Sequence, residues 1–202
     1  MTTVPQIIPA DALPVNLSER RAPIWWGMVM LIVIELTVFS TLVASYFYLK
    51  AGSPVWPPDG IKPPELLLPS INAGILILSS LPVWWADHAI RKGDTRRLKI
   101  GLGIGFVMGA VFLALKAVEY AGNEYTWATN AYGSIVWTIT GFHSAHVLIL
   151  LIKTVVVLVL AFRGFFNERR NVAVQVNGLY WHFVVLVWIP LFAALYLSPR
   201  FL

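Results

Sequence analysis

Five apolar stretches, at residues 25–49, 67–90, 98–120, 131–162 and 176–198, alternate with short polar or breaker-rich segments. A helix rises 1.5 Å per residue, so about 20 apolar residues cross the roughly 30 Å of hydrocarbon in a bilayer. The pattern therefore predicts an all-α integral membrane bundle of five transmembrane helices. The separators are the leader before Ala22, the connection "AGSPVWPPDGIKPPE" and the turn "RKGDTRRLK". They read as loops rather than domains, leaving a leader at 1–24 and one membrane domain at 25–202.

Composition supports this class. Of 202 residues, 58% are hydrophobic and 12% charged, too little polar surface for a soluble domain of this size. The net charge of +5 invites a nucleic-acid reading, but the basic residues sort by side of the membrane instead. Arg20, Arg21, Arg91, Lys92, Arg96, Arg97, Lys99, Arg163, Arg169 and Arg170 fall on one side, whereas Lys50, Lys62 and Arg200 fall on the other. By the positive-inside rule this gives a cytoplasmic N-terminus and leader and an external C-terminus. Aromatic residues fit headgroup belts, with Trp25, Trp26, Trp84, Trp85, Tyr180 and Trp181 at inner ends and Tyr46, Tyr48, Tyr120, Tyr132 and Tyr196 at outer ends. Pro5, Pro9 and Pro14 interrupt the leader, so the first helix is expected to direct insertion rather than a cleaved signal. Cysteine is absent, which excludes disulfides, thiolate metal sites and haem attachment through Cys.

Against this background the polar residues inside spans stand out. Glu35 lies midway along the first, with Thr37, Ser40, Thr41 and Ser45 following and no basic residue within a turn or two. Hydrocarbon disfavours the charged form, so a neutral carboxyl that still donates one hydrogen bond is expected. Two readings stay open: a proton-handling or partner-contacting acid, and an acid that holds two helices together. Gly101, Gly105 and Gly109 recur every four residues on the third span, a small-xxx-small face that lets backbones approach closely, and Gly103 widens it. Lys116 and Glu119, three apart, either pair on one helix face or snorkel separately to the outer headgroups.

Histidine is the residue type to test for ligation. His143 and His146 are three apart on the fourth span and His182 opens the fifth. Depth argues against joining all three at one metal, and His88 belongs to the inner surface beside Asp87. Hydrogen bonding across helix interfaces is the expected use. "GLGIGFVMG" mimics a dinucleotide loop but lies inside an apolar span with no preceding strand.

The colinear segments "WWGMVMLIVIEL", "WPPDGIKP", "INAGILILSS", the basic turn with "GD", "EY" at Glu119, "YGS", "GFHSAH" and "YWHFV" followed by Trp188 resemble subunit III of the haem-copper respiratory oxidases, the cytochrome c and quinol oxidase family. The likeness runs from Trp25 onward and fits the short five-helix bacterial type. It implies an accessory, non-catalytic subunit in the bacterial plasma membrane, holding no cofactor or metal itself. Haem and copper are expected in partner subunits I and II. The chain would pack on the catalytic subunit, bind structural phospholipid and support proton uptake. Glu35 falls at the family's acidic position, and Glu119, His143, His146 and His182 at its polar positions. The chain departs from the family at Val185, where Asp is common, at Lys116 for Gln, at Asp87 for His, and at Ser144 and Ala145 for Gly and Leu. The competing reading is an independent transporter or proton channel using Glu35, Lys116 and Glu119, for which neither internal repeat symmetry nor matched broken helices speak.

Overall fold

The computed structural model describes residues 22–58, 60–62 and 64–201; the leader with Arg20 and Arg21 lies outside the described residues. Five helical spans in it are long and apolar enough to cross a membrane. The first is α1 (Pro23–Ala51), the second is split into α2 (Leu67–Leu78) and α3 (Ser80–Ile90), and α4 (Thr95–Gly122) and α5 (Ala131–Phe162) follow. The last span is α6 (Val172–Phe192), continued by a π-turn (Ala193–Leu197) and the short α7 (Ser198–Phe201).

Caps explain why the helices outrun the apolar stretches. Pro23 opens α1, where its missing N–H costs nothing. Asp94 Oδ1 accepts from the Arg97 amide at 2.9 Å to start α4, and Asn130 Oδ1 accepts from the Gly133 amide at 2.8 Å to start α5. Two turns at the basic end need left-handed backbone, met by Gly93 at φ +78° and Gly164 at φ +73°.

Prolines account for the two irregular spans. Pro82 has no N–H to offer the Leu78 carbonyl one turn earlier, and the second span breaks at Ser79 between α2 and α3. Pro190 likewise deprives the Leu186 carbonyl, and the helix relaxes into the π-turn shortly afterwards.

α4 has α2 and α3 packed on it, and also α5; α6 touches α1, α2, α3 and α5. α1 lies against α5 and α6 and buries only Phe39 and Tyr46, whereas α6 is buried along most of its length. The glycines of α4 set the closest approaches. A Cβ on Gly101 would come 2.5 Å from the Pro82 carbonyl oxygen, one on Gly105 would come 2.6 Å from Val83 Cγ2, and one on Gly109 would come 2.8 Å from Leu151 Cδ2. The Trp181 indole fills the space over Gly105 and Gly109. Gly103 lies off this face, with nothing within 4 Å of where its Cβ would be, because it sits two residues, about half a turn, from its aligned neighbours.

The belt reading holds for only part of the aromatic set. Trp26, Tyr48, Trp84 and Trp85 are exposed, but Tyr46, Tyr132, Tyr180, Trp181 and Tyr196 are buried in the bundle. Several find hydrogen-bond partners inside: Trp56 Nε1 donates to the Tyr46 hydroxyl at 3.0 Å and Trp181 Nε1 to Ser79 Oγ at 2.9 Å. An aromatic polar tip satisfied by protein has no need of the headgroups.

The glycine geometry predicts a sharp contrast. Gly101→Ala drives a methyl into backbone and should lower stability by about 1–3 kcal/mol. Gly103→Ala meets open space and should be neutral or stabilising by up to about 1 kcal/mol through helix propensity. Thermal unfolding of the detergent-solubilised variants measures both; equal loss would show that the close approach is not what matters.

Candidate functional site

The intramembrane polar residues gather in separate clusters. Glu35 of α1 meets α5 and α6: its Oε2 lies 3.5 Å from His146 Nε2, and its Oε1 accepts from the Tyr180 hydroxyl at 3.4 Å. Lys153 of α5 stands with its Nζ 4.1 Å from the Tyr180 ring centroid. The tautomer of His146 follows from its other contact. Nδ1 is 2.7 Å from the Phe142 carbonyl, which can only accept, so Nδ1 carries a hydrogen. A neutral His146 therefore turns a bare Nε2 toward Glu35. That contact is favourable when the carboxyl group holds the proton and donates it, or when the ring has taken it and faces a carboxylate. Phe39 and Phe142 flank the imidazole with ring centroids 5.1 and 4.5 Å away.

His143, one turn from His146, turns the other way. Its ring is fully buried, packs on Trp188 with centroids 4.5 Å apart, and places Nε2 3.1 Å from the Val184 carbonyl. The bond carries the hydrogen on Nε2 and ties α5 to α6. His182 is half-buried and within electrostatic reach of Asp87 on α3, which Arg91 also holds at 2.7 Å. It does not join the other two histidines.

Lys116 and Glu119 form a third cluster at the opposite end from the basic turns. Lys116 Nζ lies 3.0 Å from both Glu119 carboxylate oxygens and donates to the Tyr196 hydroxyl at 2.5 Å. Tyr196 in turn donates to Glu119 Oε1, closing a triangle. The Trp188, Tyr120 and Tyr196 rings surround the ammonium with centroids 4.9 to 5.8 Å away. Of the two sequence options, pairing and separate snorkelling, the structure has the pair, and Tyr196 is the partner that spacing along one helix could not supply.

Lys153 and Tyr180 are the residues that sequence reasoning passed over. For Lys153 the available signal is a depth on its span that matches that of Glu35 on another. Thr154 and Asn177 were also missed; they exchange a buried hydrogen bond at 3.2 Å between α5 and α6.

Comparison with known proteins settles what kind of bundle this is. The profile of the family described as "Cytochrome c oxidase subunit III" matches residues 18–199, almost the whole chain. The chain belongs to the cytochrome c oxidase subunit III family. It is 36% identical over 176 residues to "Cytochrome c oxidase subunit 3" of Thermostichus vulcanus, covering 87% of each chain. It is 38% identical over 173 residues to the protein of the same name from Synechocystis sp., covering 85% of this chain and 74% of that one. The coelacanth Latimeria chalumnae has a relative of that name 33% identical over 190 residues, covering 91% of this chain and 71% of its own.

For a member of this oxidase subunit family the donor chemistry is informative. Among the described residues no three His, Asp or Glu side chains converge as a metal site would need. The histidines at mid-depth are committed to the Val184 and Phe142 carbonyls and to Glu35, and the chain has no cysteine. These residues do not fit a haem or copper centre.

Glu35→Gln keeps the shape and hydrogen-bonding capacity of the side chain and should leave the subunit assembled, its amide able to donate to His146 Nε2. Glu35→Leu, which strands Nε2 and the Tyr180 hydroxyl, should lower stability by about 1–3 kcal/mol. Yield of the folded subunit after detergent extraction and its thermal midpoint check both; loss of assembly with Gln would show that a carboxylate charge is required.

Proposed function

We propose that this chain is the accessory subunit III of a haem-copper terminal oxidase in a bacterial plasma membrane. Its basic loops would face the cytoplasm and its C-terminus the outside. In this reading it packs against subunit I, with subunit II completing the core, and these partners hold the haem and copper that reduce oxygen to water. The observation that carries the reading is the family match over residues 18–199, which leaves no room for a separate catalytic domain within the matched span.

Within that role the Glu35–His146 pair is the residue set that we assign to proton handling. It lies at the seam of α1 with α5 and α6, the thinly covered edge of the bundle, with Glu35 and His146 side chains 17% and 9% exposed. A carboxyl and an imidazole in contact can exchange a proton, which suits a group that takes up and returns protons during turnover. The exposed apolar residues around it, among them Ile34, Leu36 and Ile149, offer a surface for phospholipid chains.

The direct test is isolation of the tagged chain in a mild detergent. Co-purification of haem absorbance and oxygen consumption is the expected result. A colourless homo-oligomer that transports ions after reconstitution would replace this reading with the transporter.

A further inference from the structure

The Lys116 cluster carries an inference of its own. Lys116 is sealed in, its side chain 2% exposed, while its counter-charge Glu119 is 16% exposed and forms part of the wall of a cleft of about 390 Å³. The cleft opens at the end of the bundle opposite the basic turns, between the segment before α2, the end of α4 and the π-turn. Beneath it a chamber of about 20 Å³, room for roughly one water molecule, also touches Glu119, Tyr120, Thr140 and Tyr196. A proton from the medium on that side thus reaches Glu119 but not Lys116.

The groups facing Glu119 are few. Lys116 and Tyr120 come from α4, Tyr196 from the π-turn, and Tyr125 from the loop before α5. Lys62, Glu65 and Glu124 stand further out along the cleft walls. Glu119 is the carboxylate that hydrogen-bonds Lys116, and a buried ammonium whose counter-charge is neutralised is left with the Tyr196 hydroxyl and the surrounding rings alone. Tyr196 lines both the cleft and the chamber and accepts from Lys116. That residue belongs to the π-turn, the irregular stretch of the last span, so release of Tyr196 would free a segment outside regular α-helical hydrogen bonding.

We propose that Lys116, Glu119 and Tyr196 form an acid-released latch: ionised Glu119 holds Lys116 and the Tyr196 turn closed, and a proton arriving through the cleft loosens the π-turn around Tyr196. The proposal does not depend on the role assigned to Glu35. Beyond the latch, α7 is moored by Lys50, which donates to the Ser198 carbonyl at 2.9 Å, and by Arg200, which donates to the Pro64 carbonyl at 2.8 Å. Opening is therefore local to the π-turn and the chain around it.

Hydrogen–deuterium exchange of the segment 193–201, measured in the detergent-solubilised complex and normalised to a core segment of α5 at each pH, tests this. Protection of 193–201 should fall as pH falls, because the latch needs the carboxylate. Glu119→Gln should be open at every pH, exchanging on the order of tenfold faster than wild type near neutrality. Lys116→Gln removes the buried ammonium, so its exchange should be flat with pH. If Glu119→Gln fails to assemble, the Lys116→Gln profile still decides: a flat profile supports the latch and a wild-type slope overturns it. Wild-type exchange indifferent to pH, or unchanged in Glu119→Gln, would also overturn it.

Discussion

The Trp181 indole is the contact on which the rest of the bundle depends. It lies over Gly105 and Gly109 of α4, within ordinary packing distance of where their Cβ atoms would be, and donates its N–H to Ser79 at the break between α2 and α3. One fully buried side chain therefore fastens α6 to α4 and to both halves of the second span. In hydrocarbon there is no water to satisfy a stray N–H or hydroxyl, and no gain from hiding apolar surface among apolar tails. Packing over small residues and a few interhelical hydrogen bonds must do what a hydrophobic core does in water. Ser79 is thus more than a consequence of Pro82: the disturbed turn presents a hydroxyl that accepts from Trp181 while donating to the Leu76 carbonyl at 2.6 Å.

The same constraint sorts the remaining polar groups. Thr154 with Asn177, Asn72 with the Phe112 carbonyl, His143 with the Val184 carbonyl and Lys116 with Glu119 and Tyr196 each join two helices. Glu35 differs, since one oxygen accepts from Tyr180 while the other faces the His146 ring at 3.5 Å without a hydrogen bond. The seam at Trp181 and the Glu35–His146 contact between α1 and α5 belong to one bundle whose outer face is apolar. That combination suits an accessory subunit embedded in a larger membrane complex.

The spans were legible because hydrocarbon thickness imposes a length that five runs of this sequence meet. The division of the second span was not read, although Pro82 was visible, since a proline breaks a helix only where its surroundings re-satisfy the freed backbone. The belts misled for Tyr46, Tyr180 and Tyr196 because a tyrosine near a helix end is equally suited to a headgroup and to an internal carboxyl or hydroxyl. Spacing put His143 and His146 on one helix but not on one target: they point to α6 and α1 respectively. Partners such as Lys153 and Tyr196 come from other helices, and their convergence is a property of packing that no local pattern encodes.

The seam at Trp181 can be measured by a double-mutant cycle. Trp181→Phe keeps most of the ring but loses the N–H, and Ser79→Ala loses the acceptor; thermal unfolding of both single variants and the double variant gives their coupling. The two losses should overlap, with a coupling of about 0.5–1.5 kcal/mol, the range of interhelical hydrogen bonds in membranes. Strictly additive losses would contradict it, showing that the indole is held by shape alone and that α6 is not fastened to the second span through Ser79.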